Sequence, residues 1–174
     1  MSITKQHKFL KLYEPVHDRF ERFCRARVYG DMDYEDLMND TLLIAFQKFE
    51  ELTSEQAFLS YLFGISVRLL ANNKRKKKEE AYQNQAFNYT DVNAQTERDA
   101  EVYLLHQTLA QLPEAQRESI ILFEISGFSI KEISAIQNTS ESAVKQRLKR
   151  GREKLAQLLS FENKQPKSKE VNNG

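Results

Sequence analysis

Hydrophobic residues recur along this chain at intervals of three and four, the spacing that stacks side chains on one face of an α-helix. Phe9, Leu12, Val16, Phe20, Phe23 and Val28 carry the pattern over residues 5–29. Pro15 predicts a break there with a second helix starting after it, because a proline inside a helix removes a hydrogen bond and clashes with the preceding turn. Tyr29-Gly30-Asp31 closes the segment. Leu37, Thr41, Leu42, Ala45, Phe46 and Phe49 predict a helix over Tyr34–Leu52, its other side covered by Glu35, Asp36, Asn39, Asp40 and Gln47. Thr53-Ser54-Glu55-Gln56 offers a cap for a third helix running from about Ala57 to Lys77, with Phe58, Leu62, Ile65 and Leu69 as its core stripe.

The periodicity lapses over residues 79–102. Asn, Gln, Thr, Asp and Glu dominate there, and Phe87, Tyr89 and Val92 stand isolated. Such a composition buries too little apolar surface to offset the entropy of folding, so a flexible linker is predicted. Leu104–Leu112 resumes a helix, stopped before Pro113, and Arg117–Phe123 adds Ile120, Ile121 and Phe123 before a turn at Gly127. Residues from Asn163 onward are polar and predicted to be disordered. The expectation is an all-α protein of two small helical domains, residues 1–80 and 104–161, joined by a linker over 81–103 and followed by a tail over 162–174. Few glycines and prolines, no tryptophan and abundant Leu, Lys, Glu and Gln agree with that class.

The segment 127–154 is the most informative. Ser129-Ile130-Lys131-Glu132 fits a capping box, in which the Ser hydroxyl takes the third helical amide and the Glu reaches back. Phe128 and Ile133 occupy the two positions of a hydrophobic staple. A short helix, roughly Ile130–Gln137, then ends at Asn138, a residue that tolerates the left-handed conformation, and Thr139 or Ser140 caps the next helix. In that helix Val144, Leu148 and Leu155 face inward, with Gly151 allowing close approach. Lys145, Lys149 and Arg152 stand on another face beside Gln146 and Arg150. Short helix, tight turn and basic helix make a helix-turn-helix, so DNA binding is the leading hypothesis, with phosphates met by the cations and base edges by the N-terminal turn from Ser140 to Gln146.

Net charge is +1 and hides strong segregation. Residues 31–55 carry eight acids and one lysine, 74–78 reads K-R-K-K-K, and 145–154 holds six cations against Glu153. Cys24 is the single cysteine and is expected to pack as a small hydrophobe, so no disulfide or thiolate metal site is predicted. His7, His17 and His106 lack partners at ligand spacing and are read as surface or boundary residues. No Gly-rich phosphate loop, nucleophile elbow, metalloprotease motif, secretory signal or membrane-length apolar run appears. The chain reads as cytoplasmic and non-catalytic, with no cofactor and no metal. On the third helix, Tyr61, Gly64, Arg68, Asn72 and Arg75 share a face. An aromatic, an amide and cations suit an unstacked strand, whose bases stack on rings while cations hold phosphates, although a ring at the core edge beside a solvated face fits the same residues. Gly64 implies close approach of something at that face.

The whole layout resembles a sigma-70 superfamily factor of the compact extracytoplasmic-function (ECF) type, which keeps the second and fourth sigma domains with a linker between. Leu12-Tyr13-Glu14-Pro15, the run from Tyr34 to Thr41, the run from Phe58 to Ile65, the run from Leu109 to Arg117 and the helix-turn-helix carry the likeness in order. The resemblance implies a transcription initiation factor that recruits bacterial core RNA polymerase to specific promoters and assists their opening. It implies docking of Glu35, Asp36, Asn39 and Asp40 on the clamp coiled coil, with the flap as a second polymerase contact. It places Phe58, Tyr61, Arg68, Asn72, Asn73 and Arg75 at the −10 element, on single-stranded DNA. It places Ser140, Glu141, Ser142, Ala143, Lys145, Gln146, Arg147, Lys149, Arg150 and Arg152 at the −35 element, on duplex DNA. An anti-sigma factor is a further implied partner. Asn138 stands where glycine is frequent, Thr139 where an aliphatic is usual and Ala143 where threonine is common, so a promoter sequence does not carry over. Residue chemistry alone reaches a two-domain nucleic-acid binder. A stand-alone helix-turn-helix regulator is the alternative, and an interaction module that sequesters polymerase without reading DNA is a third class.

Overall fold

The computed structural model describes residues 2–83 and 99–162, and every regular element among them is helical. The first unit holds α1 (Ser2–Tyr13), α2 (His17–Val28), α3 (Tyr34–Gln47) and α4 (Phe58–Gln83). The second holds α5 (Ala100–Ala110), α6 (Glu114–Ile120), α7 (Ile130–Ile136) and α8 (Glu141–Glu162). Pro15 lies in a 3-10 turn, Glu14–Val16, that separates α1 from α2 as its missing N–H dictates. Gly30 takes φ +80 and lets the chain reverse into α3, where the Asp33 side chain caps the helix by accepting from the Glu35 amide at 2.9 Å. Ser54 accepts from the Ala57 amide at 3.3 Å and starts the turn that leads into α4.

Three boundaries differ from the sequence reading. α3 ends at Gln47, short of the expected Leu52, and Phe49–Glu51 forms a separate 3-10 turn. α4 continues beyond Lys77 to Gln83, and α5 begins at Ala100 rather than Leu104, so both ends of the expected linker are helical. Loss of an apolar stripe does not end a helix when good helix formers follow. Arg75 with Glu79 and Lys76 with Glu80 stand four apart, a spacing that supports a solvated helix, and Asp99 caps α5 through the Glu101 amide at 3.0 Å. Residues 84–98, with Phe87, Tyr89 and Val92, and the tail from Asn163 lie outside the described residues.

Edge-to-face rings fill the first core: Phe9 meets Phe46, Phe49 and Phe58 with centroids 5.4, 5.4 and 5.5 Å away, and Phe63 meets Phe23 at 4.7 Å. Met38, absent from the predicted inward stripe of its helix, is also buried. In the second unit Leu109, Leu112, Ile120, Ile121, Leu122, Ile133, Ile136, Val144 and Leu148 are buried. A wider helical turn, Ile121–Ile125, carries α6 toward Gly127, whose φ of +74 only glycine adopts without strain. Gly151 meets α6 so closely that a Cβ there would lie 2.9 Å from Ile120 Cγ1.

The two units pack directly on each other. Phe63 of α4 and Phe128 lie 4.8 Å apart between centroids, joining the two cores. Arg27 of α2 and Glu118 of α6 form a buried ion pair at 2.9 Å, their side chains 7% and 10% exposed. Arg117 donates from Nη2 to the carbonyls of Ala26 and Tyr29 at 2.9 and 3.0 Å, and from Nη1 to Asp31 at 3.1 Å. Burial, with Arg27 nearby, lowers the Arg117 guanidinium to about 10 against the opposing pull of Asp31. Its Nε finds no acceptor among the described residues. Arg19 Nε reaches the Ser126 carbonyl at 2.6 Å, and Lys74 pairs with Glu114 at 2.7 Å on the exposed rim. His106, expected at the surface, is instead buried 5.9 Å from the Tyr29 ring, because α5 lies against the end of α2.

Two measurements check the packing. Gly151→Ala is expected to lose about 1 kcal/mol in urea unfolding, since overpacking against Ile120 costs about 1–3 kcal/mol and the gain in helix propensity returns about 1 kcal/mol. A stability equal to or above the parent's would show that Ile120 yields. Cys24 is fully buried, and burial, with Glu21 nearby, pushes its thiol pKa up. It is therefore expected to resist a thiol reagent at pH 8 until urea unfolds the chain, and rapid labelling of the native protein would contradict the placement.

Candidate functional site

The helix-turn-helix forms as its local signals dictate. Ser129 Oγ accepts from the Glu132 amide at 3.2 Å while Glu132 Oε2 accepts from the Ser129 amide at 2.8 Å, completing the capping box. A cap of this kind contributes about 1 kcal/mol. Phe128 and Ile133 are both buried as the staple requires. Asn138 takes φ +50, the left-handed turn, and Ser140 rather than Thr139 caps α8 by accepting from the Ala143 amide at 3.1 Å.

Val144, Leu148 and Gly151 bury one face of α8, and the rest of its first four turns is set by that anchoring. Glu141, Ser142, Lys145, Gln146, Lys149 and Arg150 are exposed, and Ser140 stands exposed at the cap. Ala143 is half-buried. Two of the expected contact residues are already engaged. Arg147 is half-buried and donates to Gln137 Oε1 at 3.1 Å, while Arg152 donates from Nε and Nη2 to Glu124 at 3.1 and 2.7 Å and lies 5.2 Å from the Phe123 ring centre. The helix thus presents a polar and cationic ridge with an arginine tethered on either flank.

On α4, Arg68, Asn72 and Arg75 are exposed along one face, and half-buried Tyr61 stands on the same face a turn or two earlier. The Tyr61 hydroxyl donates to the Ala45 carbonyl at 3.2 Å, and burial, with Glu51 nearby, raises its pKa against the pull of Arg68. Phe58 requires correction. It is 2% exposed and packs among Phe9, Phe49 and Tyr61, so its ring belongs to the core of the first unit and not to a strand-facing surface. Asn73 is turned away from Tyr61 and half-buried, lining the cleft between the units. Gly64 is not crowded either: a Cβ there would meet only Arg68 Nη2, at 3.9 Å. Lys74 through Lys78 are all exposed beyond this face.

Glu35, Asp36, Asn39 and Asp40 are exposed on α3, as is Leu43, which is 58% exposed. Asp36, Asn39, Asp40 and Leu43 follow offsets of three, four and three, so they form one ridge. Leu43 was not among the expected contact residues; an apolar side chain breaking an otherwise polar helix face was the available signal. On the second unit Leu104 and Leu105 of α5 and Leu159 and Phe161 of α8 are exposed apolar residues, Phe161 by 71%. No helix among the described residues is long and apolar enough to cross a membrane. His17, Asp18 and Glu21 bring three potential ligand atoms together, but Glu21 already accepts from Arg25 at 2.7 Å and His17 Nδ1 bonds the Tyr13 hydroxyl at 2.8 Å.

With this geometry in place, the sequence matches two family descriptions. Sigma-70 region 2 matches residues 12–80, and Sigma-70, region 4 matches residues 96–155. The RNA polymerase sigma factor SigZ of Bacillus subtilis is 28% identical over 151 residues, covering 84% of this chain and 86% of SigZ. The ECF RNA polymerase sigma factor SigM of Mycobacterium tuberculosis is 26% identical over 160 residues, covering 91% of this chain and 80% of SigM. Among solved structures, the sigma factor RpoE of Bartonella quintana, crystallised with the anti-sigma factor NepR, is 25% identical with a TM-score of 0.78 over 88% of this chain and 97% of RpoE. The chain belongs to the sigma-70 superfamily of RNA polymerase sigma factors, of the ECF type. It is a transcription initiation factor.

The tethers on α8 separate its cations by role. In the holoenzyme on promoter DNA, Lys149→Ala is expected to lower the slope of log affinity against log salt by about one, the signature of one lost phosphate contact. Arg147→Ala is expected to leave that slope unchanged, because Gln137 holds its guanidinium. Equal slope changes in the two variants would place Arg147 on phosphate and refute the division.

Proposed function

We propose that the exposed ridge of α8, from Ser140 through Arg150, enters the major groove of the −35 element. Lys145, Lys149 and Arg150 meet phosphates while Ser142, Ala143 and Gln146 face base edges. In this reading Glu141 sits at the mouth of the groove, and Arg147 and Arg152 set the roll of the helix. The Tyr61, Arg68, Asn72, Arg75 face of α4 holds the separated −10 strand, with a base stacked on Tyr61 and the basic run after it following the backbone. Asn73 joins this site only once the cleft opens. Binding energy available to a separated strand and not to a duplex shifts the equilibrium toward the open promoter.

The α3 ridge is the reading for the polymerase clamp, with Asp36, Asn39 and Asp40 giving charge complementarity, Leu43 an apolar anchor and Glu35 a flanking charge. The exposed leucines and Phe161 of the second unit support the flap as the other polymerase contact. Two relatives of known structure were solved with anti-sigma partners, NepR for RpoE and CnrY for CnrH, which supports an anti-sigma factor as a partner here. The polymerase makes the phosphodiester bonds; this chain supplies recognition. The observation that carries the proposal is one chain bearing two separate cationic helix faces and a third, acidic one.

Asp40→Lys tests it directly. Purified chain is expected to bind bacterial core RNA polymerase saturably without DNA, and the charge reversal is expected to weaken binding at least tenfold with helicity retained. Tight polymerase-independent duplex binding together with no core binding would make the protein a stand-alone regulator instead.

A further inference from the structure

The seam between the units is constructed like a protein interior, yet it joins parts that must separate. A compact chain of 174 residues has a radius of gyration of about 16 Å. The two promoter elements lie about 25 base pairs apart, or about 85 Å along B-form DNA. The packed molecule cannot span that distance. A cleft of about 860 Å³ follows the seam, with Asn73 and Lys74 of α4 facing Glu114, Gln137 and Arg147 of the second unit. Its cations and carboxylates are close to balance, so the cleft itself does not call for an ionic ligand.

One carboxylate carries the seam. Glu118 Oε2 accepts from Arg27 Nε of the first unit at 2.9 Å, and Glu118 Oε1 accepts from Gln137 Nε2 at 2.9 Å. Gln137 Oε1 in turn accepts from Ser119 at 2.9 Å and from Arg147 of α8 at 3.1 Å. The same side chain therefore fastens the first unit with one oxygen and the helix-turn-helix with the other. Much of the seam is polar: Arg27, Arg117, Arg19 and Lys74 all cross it. Buried ion pairs recover hydration when they separate, so a polar seam is specific in register but far easier to part than an apolar one of equal size.

We infer that the free chain holds itself shut, with Glu118 as the latch, and that opening at Arg27–Glu118 is a step on the way to polymerase and promoter. The inference rests on the reading that the two units take separate promoter elements. A closed majority form lowers apparent affinity for core polymerase by the fraction that is open. Neither Arg27 nor Glu118 belongs to the proposed DNA or polymerase contacts.

The test uses the full chain, with small-angle scattering for size, circular dichroism for folding and binding to core polymerase for consequence. The parent protein is expected near 16 Å in radius of gyration, and Glu118→Ala near about 20 Å with helicity retained. The variant should bind core polymerase several-fold more tightly. The double variant Arg27→Met/Glu118→Leu, which refills the site with apolar groups, should be compact again. An extended parent, a folded but compact Glu118→Ala, or an opened variant with unchanged core affinity would each overturn the latch. Should Glu118→Ala lose helicity, Lys74→Glu takes its place by setting like charges at the exposed rim, and a compact Lys74→Glu would overturn it equally. A parent that is compact but never binds core polymerase would fail the sigma reading while leaving the closed form standing, so the two failures are distinguishable.

Discussion

Arg27, Arg117 and Glu118 lie where water is scarce, and the arrangement of the whole molecule follows from how their charges are satisfied. A charge taken out of water is tolerated only when paired and hydrogen-bonded. Arg27 and Glu118 answer each other across the two units, and Arg117 spends its donors on two carbonyls of the first unit and on Asp31. Removing one member of such a buried pair costs about 3–5 kcal/mol, because the other is left uncompensated. The placement of α6 against α2 is therefore fixed by chemistry that tolerates little slippage, whereas apolar contacts alone would accept several registers. Phe63 against Phe128 supplies the apolar part of the same contact.

Around that seam the functional surfaces point outward. The α8 ridge, the Tyr61 face of α4 and the acidic ridge of α3 all remain exposed with the units packed. Closure thus leaves each surface chemically intact and denies only their simultaneous use at a distance. Asn73 is the exception, since its side of α4 is the one turned into the cleft. A protein with separate reading surfaces on two bodies can be controlled by the relation between the bodies, with no change inside either.

What the sequence revealed is what short range decides. The capping box at Ser129 and Glu132, the left-handed Asn138, the buried Val144 and Leu148 and the close approach at Gly151 each depend on neighbours within one or two turns, so a linear reading finds them. The acidic ridge was visible for the same reason, apart from Leu43. Arg27 and Glu118 were not legible, because 91 residues separate them and each alone resembles a solvated charge. Phe58 was misplaced for a related reason: its spacing put it on the core stripe, while the family likeness drew it toward DNA, and burial decided for the core. Helix ends near 80 and 100 escaped because charged residues with good helix propensity continue a helix after its apolar stripe has stopped.

The two arginine tethers of α8 set the tolerance of recognition. Gln137 holds Arg147 on one flank and Glu124 holds Arg152 on the other, so rotation of the helix about its own axis is braced from both sides. A braced helix offers each side chain to one base step rather than sampling neighbours, and its ordering entropy is spent at folding rather than at binding. Promoter preference in this protein is consequently written partly in residues that never meet DNA. Two such factors with identical groove-facing side chains would favour different bases if they differed only at Gln137 or Glu124.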